Sequence, residues 1–184
     1  MSPETQAWQA ELTIDGGAGS RMVHYDGTPQ SISYLQYDLV SLAYRLPGIQ
    51  QAAIIGVGGG RDLLTAHYFG VPNITGIELN PILVTLLTRQ PYYKKFTGVT
   101  LLPNLQLRVD DARSWFDSTH QKFDLVQMSM IDTWAATGAG AFSLSENGLY
   151  TIEGWEAFLH SLNPDGVFTG SRWYSPGDVK ETGH

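Results

Sequence analysis

The segment Ala52-Ala53-Ile54-Ile55-Gly56-Val57-Gly58-Gly59-Gly60-Arg61-Asp62-Leu63-Leu64 narrows the possible folds more than any other part of this chain. Four apolar residues run into four glycines within five positions, and a helix-compatible stretch follows. A buried strand that enters a helix through a glycine loop has this pattern. Glycine lacks Cβ and takes positive φ, so main-chain N–H groups there can approach a small polar ligand at the helix N-terminus.

The rest of the chain supplies the context such a unit needs. Trp8 to Ile14 and Arg21 to Tyr25 alternate apolar and polar residues around Asp15-Gly16-Gly17-Ala18-Gly19, which predicts a β-hairpin. Leu35, Leu39, Leu42, Ala43 and Leu46 form a helical stripe over Ser33–Leu46 that stops at Pro47-Gly48. Strands are expected at Ala52–Val57, Asn73–Glu78, Leu105–Val109, Asp124–Met128 and Val167–Trp173. Helices are expected from about Arg61 to Gly70, after Asn80-Pro81, after Asp110-Asp111-Ala112-Arg113, and over about Thr151–Leu162. Gln90 to Pro103 reads as a looser aromatic and basic surface segment, and Asn163-Pro164-Asp165-Gly166 as a turn. Strands that alternate with helices imply a Rossmann-like, doubly wound parallel α/β sheet. The organisation is then a hairpin region over 1–32 and a nucleoside-binding domain over 33–184, as one globular unit.

Composition closes several alternatives. Among 184 residues, 18 acids against 11 basic residues give a net charge of −7, which disfavours a surface that tracks nucleic-acid phosphates. There is no cysteine, hence no disulfide, thiolate metal site or Cys nucleophile, and the five histidines lack metal-ligand spacing, so no metal is assigned. No apolar run reaches the roughly 18 residues that span a bilayer. The expectation is a soluble, cytoplasmic domain without membrane insertion.

Parallel sheets bind ligands at the carboxyl ends of their strands, and acids stand there. A dinucleotide fingerprint would need glycine at position 61, which is Arg61, and no Gly-Lys-Ser/Thr follows for a phosphate loop. Glu78, 22 residues after Gly56, suits two ribose hydroxyls, or serves as a helix-start acid. Asp111 suits an adenine amino group, with the Ala112 N–H on a ring nitrogen, or caps the helix that follows. Glycine loop, Glu78 and Asp111 together describe a nucleoside site without phosphate contacts.

The ordered set Asp26-Gly27-x-x-Gln30, Ile54-Ile55-Gly56-Val57-Gly58-Gly59-Gly60, Gly76-Ile77-Glu78-Leu79-Asn80-Pro81, Asp110-Asp111-Ala112-Arg113 and Phe123-Asp124-Leu125-Val126 resembles the spermidine synthase family of aminopropyltransferases, a branch of the class I S-adenosylmethionine-dependent methyltransferase fold. The resemblance implies that Gly56, Gly58, Gly59 and Gly60 face the donor and Gln30 lies near its nucleoside or methionine tail. It further implies that Glu78 holds the ribose and that Asp111 and Ala112 hold the adenine. The family's Asp-Ser-x-Asp-Pro loop corresponds to Ser129-Met130-Ile131-Asp132-Thr133, so Asp132 matches the catalytic base and Ser129 stands where the first acid would be. Two departures bear on substrate. The loop acid that holds the amine of decarboxylated S-adenosylmethionine corresponds to Gly59, and the Tyr and Glu of the gate correspond by ungapped matching to Leu39 and Ser41. Arg61 has meanwhile appeared beside the loop, able to pair with the carboxylate of S-adenosylmethionine or with a neighbour such as Asp62.

These features lead to the expectation of an S-adenosylmethionine-dependent transferase, methylating a small-molecule acceptor with Asp132 as base. Aminopropyl transfer to a polyamine is the first alternative; a non-catalytic nucleoside-binding module of a larger protein is the second, and an NAD-dependent oxidoreductase a distant third. The Ala-, Gly- and Ser-rich stretch 132–147, with Trp134 and Phe142, reads as a lid or acceptor loop. It most resembles soluble spermidine synthase-like domains that are joined elsewhere to membrane-spanning segments. A full family member adds an antiparallel hairpin of two strands after the last parallel strand, whereas this sequence stops at His184, soon after Ser175-Pro176-Gly177; the expectation is a sheet whose C-terminal strands are truncated or a minimal form of the fold, and an uncovered sheet edge would invite a homodimer.

Overall fold

A computed structural model describes residues 9–14, 18–131 and 148–171. Strands β1 (Gln9–Ile14) and β2 (Ala18–Val23) pair antiparallel as the hairpin, with Gln9 opposite Val23. The central sheet contains β3 (Gln51–Ile55), β4 (Asn73–Glu78), β5 (Leu105–Val109), β6 (Phe123–Ser129) and β7 (Leu162–Ser171). Its order is β5-β4-β3-β6-β7, and every pairing is parallel. The chain thus runs outward from β3 to β5, returns to the other side of β3, and continues to β7.

Alternation along the strands divides the core in two. Ala52 and Ile54 of β3, Ile74 of β4 and Leu125 of β6 pack on one face, with α1 (Arg61–Tyr68) and Met22, Ile32, Leu35 and Tyr44. Ala53, Ile55, Ile77, Val126 and Met128 pack on the other, against Phe116 of α4 (Ala112–Ser118) and Phe158 of α5 (Ile152–His160). Helix α2 (Pro81–Thr88) starts as expected: the Asn80 carboxamide oxygen accepts from Ile82 N at 2.9 Å, and Pro81 occupies the first turn. Gly76 leaves room for α1 and the loop before it to pack closely on the sheet. A Cβ there would stand 2.7 Å from Val57 and 3.1 Å from Leu63.

Four expectations change in detail. The segment expected as one helix over Ser33–Leu46 is two 3-10 segments, Pro29–Tyr37 and Leu39–Arg45, separated by an extended Asp38. The break turns the second segment so that Ser41 and Tyr44 face inward, whereas Leu39 and Leu42 of the apolar stripe are exposed. The Ser41 hydroxyl stabilises this turn by donating to the carbonyls of Gln36 and Asp38. The aromatic and basic segment before β5 contains α3 (Pro91–Thr97), closed by Gly98 in the left-handed region. The last strand begins at Leu162 rather than Val167, and a register shift opposite Phe123 and Leu125 absorbs the Asn163–Gly166 stretch. Finally, β2 begins at Ala18, so glycine belongs to the strand as well as to the turn.

Candidate functional site

The carboxyl ends of β3, β4, β5 and β6 gather most of the predicted residues. Gly56, Gly58 and Gly60 adopt positive φ (75°, 50° and 87°), as the sharp passage from β3 into α1 requires. The amides of the loop are engaged inside the protein. Gly56 N–H donates to Ile77 O, Gly58 N–H to Glu78 Oε2 (2.9 Å), Gly59 N–H to Ser20 Oγ (2.7 Å) and Gly60 N–H to Val57 O.

Strand β2 rests on this loop. Met22 bridges Gly60 across the gap, and a Cβ on Gly59 would lie 2.2 Å from the Arg21 carbonyl oxygen. On Gly58 it would meet Ser20 Oγ at 2.5 Å, on Gly60 the Val99 side chain at 2.8 Å, and on Gly56 the Ile131 side chain at 3.2 Å. The glycines are therefore required by the protein's own packing, the hairpin foremost. An acid at position 59 would be incompatible with β2 where it lies.

Glu78 ends β4 at 7% exposure. Its Oε2 holds Gly58 N–H and its Oε1 accepts from Asn80 N at 2.8 Å, so it fixes the glycine loop to the start of α2. A carboxylate offers about four lone-pair positions. Two remain free to accept, and Glu78 fills the role of helix-start acid that the sequence offered beside a ribose role. Asp111 caps α4, its Oδ1 accepting from Ser114 N at 2.9 Å, and Ala112 occupies the first position of that helix. Its other oxygen keeps its capacity to accept. Gln30 is exposed near the start of the first 3-10 segment. Asp132, Trp134 and Phe142 lie outside the described residues.

Arg61 pairs with Asp38, at the break between the 3-10 segments, and not with Asp62. Tyr34 stands close enough to feel both charges. Asp62, next in the chain, is 9% exposed, with the Ser129 hydroxyl near enough to act on its titration. Ser129 in turn accepts from Gln127 Nε2 at 2.8 Å, and Gln127 Oε1 accepts from the buried Tyr44 hydroxyl. Burial pushes the Asp62 carboxyl up; the nearby Ser129 hydroxyl and Arg61 guanidinium oppose this, while Asp38 reinforces it. Burial, and secondarily Asp62, hold the Tyr44 hydroxyl well above its usual range.

Asp38, Asp62, Tyr44 and Gln127 were not selected from the sequence. The pairs that define them are separated by 23 residues (Arg61 and Asp38), 67 (Asp62 and Ser129) and 83 (Tyr44 and Gln127), and no local pattern marks them. Among the described residues no group of three His, Cys, Asp or Glu could hold a metal ion, and no helix is long and apolar enough to cross a membrane.

No protein-family model matches the chain, and neither does any curated protein. Solved structures do. A spermidine synthase in complex with the transition-state analogue AdoDATO is 16% identical, with a TM-score of 0.56 over 89% of this chain and 56% of its own. Spermidine synthase from Thermotoga maritima is 14% identical, with a TM-score of 0.53 over 88% and 54%. The S-adenosylmethionine-dependent methyltransferase from Agrobacterium tumefaciens is 9% identical, with a TM-score of 0.50 over 98% and 57%. The chain spans little more than half the length of each. At these identities the likeness is one of architecture: the chain has the class I S-adenosylmethionine-dependent methyltransferase fold, which it shares with spermidine synthase.

Proposed function

We propose that the chain is an S-adenosylmethionine-dependent transferase that methylates a small-molecule acceptor. The observation that carries the donor is Glu78, a buried carboxylate at the end of β4 with two lone-pair positions uncommitted. Those positions suit ribose hydroxyls, and Asp111 with Ala112, one strand further out, suits the adenine. When bound, the donor supplies an electrophilic carbon on a cationic sulfur. The protein's share is to orient two reactants in line and to exclude water. Asp132 would take the acceptor's proton, as the family resemblance implies.

Methyl rather than aminopropyl transfer is favoured at Gly59. The seat of β2 leaves no room there for the acid that would hold the amine of a decarboxylated donor. Arg61 spends part of its five-donor guanidinium on Asp38, and the remainder suits the carboxylate of S-adenosylmethionine. The acids Asp38, paired with Arg61, and Asp62, next to it in the chain, favour a second reading, aminopropyl transfer to a polyamine, because carboxyl groups can recognise a cationic acceptor. Titration calorimetry with S-adenosylmethionine and its decarboxylated form tests both. A tenfold or greater preference for S-adenosylmethionine is expected; the opposite preference would select the polyamine reading, and binding of neither would refute both.

A further inference from the structure

Glu78 is held by two backbone amides of different origin. Asn80 N–H, on Oε1 at 2.8 Å, lies two residues on and is fixed by the start of α2. Gly58 N–H, on Oε2 at 2.9 Å, comes from a loop 20 residues back. Two hydrogen bonds, one to each oxygen, set the plane of a carboxylate and with it the direction of the lone pairs left over. The first anchor is local to Glu78. The second is only as well placed as the glycine loop.

That loop has little stiffness of its own. Gly58, Gly59 and Gly60 follow one another, two of them with positive φ, and glycine loses more conformational freedom than any other residue when it is held still. Inside the loop, Gly60 N–H closes a turn onto Val57 O. From outside, β2 grips three successive residues. Ser20 Oγ lies 2.5 Å from where a Gly58 Cβ would stand, the same oxygen accepts from Gly59 N at 2.7 Å, and Met22 bridges Gly60. Ser20 shares its strand face with Met22, which is 0% accessible, so burial of the methionine sets the serine against the loop. Across the hairpin, its partner Leu12 packs on the same core. Among the described residues, Ser20 and Glu78 are the two side chains that accept from the glycine amides, and they do so at adjoining positions.

We propose that Ser20 is a positioning residue for Glu78: through the adjoining amides of Gly59 and Gly58 it fixes the carboxylate in the orientation that receives the ribose diol of the nucleoside. The inference rests on the reading of Glu78 as the ribose acid. It gives the hairpin a part in ligand recognition without any hairpin atom touching the ligand. The coupling is reciprocal. A ligand that engages Glu78 through its diol tightens the seat of β2 by the same factor by which that seat tightens the ligand.

The contribution of the diol is read by comparing adenosine with 2′,3′-dideoxyadenosine, which keeps the base and the 5′-hydroxyl, in NMR titrations of the full chain. A hydrogen bond to a charged group is worth about tenfold in affinity, so wild-type protein should prefer adenosine by about tenfold or more. Ser20→Ala removes the acceptor of Gly59 N–H and should bring that preference close to unity, with the affinity for dideoxyadenosine unchanged. A role confined to stability would leave the preference intact, because it acts on both nucleosides alike. A preference unchanged in Ser20→Ala overturns the proposal. Equal binding of the two nucleosides by the wild type, or binding of neither, overturns the ribose reading of Glu78 itself. Should Ser20→Ala fail to fold, amide exchange of the wild type decides: β2 should exchange more slowly with saturating adenosine than with saturating dideoxyadenosine, and equal rates overturn the proposal.

Discussion

Gly59→Ala is the sharpest probe of how the hairpin and the glycine loop depend on each other. The added Cβ would lie 2.2 Å from Arg21 O, 2.6 Å from Arg21 C and 2.9 Å from Met22 N. These are backbone atoms, so no rotamer change relieves the overlap, and β2 must withdraw by more than an ångström to reach ordinary contact. Gly59 does not have positive φ, so the penalty is steric and not conformational. Withdrawal breaks the Gly59 N–H to Ser20 Oγ hydrogen bond, worth about 1 kcal/mol. It also exposes Met22, now 0% accessible, at about 1.5–3 kcal/mol for a buried side chain of this kind. The expected loss is about 2.5–4 kcal/mol, a fall in Tm of roughly 5–16 °C for a domain of this size. Urea unfolding gives the first quantity and circular dichroism melting the second, with amide exchange in β1 and β2 locating the change. A variant within about 0.5 kcal/mol of wild type, the range of an inert surface change, would refute the seat of β2 on the loop.

Other sites give further tests. Tyr44→Phe leaves the buried Oε1 of Gln127 without its donor and should cost about 1–3 kcal/mol, measured by denaturant titration. Glu78→Gln turns an amide NH2 toward one of two backbone donors, so it should lower stability by about 1–3 kcal/mol even without ligand, and should weaken nucleoside binding in calorimetry. Asp62 is raised above 3.8, so folded protein holds its proton more tightly than the unfolded chain does; the stability it contributes is complete below that value and is lost as pH rises. Asp62→Asn should therefore gain on wild type in melting temperature as pH climbs above about 4. Asp124 behaves oppositely. Desolvation raises its carboxyl, but hydrogen bonds from Asn163, Gln50 and Gln51 outweigh this and lower it, so its contribution fades as pH falls through the acid range. Asp124→Asn should flatten the acid limb of a stability-against-pH curve.

The parts of this molecule that were readable in its sequence are those fixed by neighbours along the chain. Strand β3 announces itself because Ala52 to Ile55 are apolar on both faces, and α2 because Asn80-Pro81 carries its own cap. Asp111 and Glu78 were visible as acids at strand ends, and each keeps the structural role that had been set beside the ligand role. What escaped was long-range. Nothing near Gly59 tells that Ser20 accepts its amide hydrogen, and nothing near Arg61 selects Asp38 over the adjacent Asp62. The segment over 33–46 misled because its leucines have helical spacing, yet three Leu side chains, Leu39, Leu42 and Leu46, are exposed. The local hydrogen bonds of Ser41 and the tertiary contacts of Tyr44 outweighed that periodicity.

The hydrogen bonds of the crevice bear on ligand chemistry independently of any resemblance. The amides of all four glycines are spent within the protein, on Ile77, Glu78, Ser20 and Val57. The loop therefore retains none of the glycine N–H donors with which a phosphate cradle would operate, despite its glycine content. What the surrounding strand ends retain is acceptor capacity: two lone-pair positions on Glu78, an oxygen of Asp111, one lone pair on Ser129, and the carboxyl of Asp62. A ligand complementary to such a site presents hydroxyls, amino groups or positive charge. An uncharged ribose, an adenine amine and a sulfonium supply these three; a pyrophosphate supplies none of them. The loop is thus better understood as the anchor that sets Glu78 and the hairpin in place than as the surface that holds the ligand.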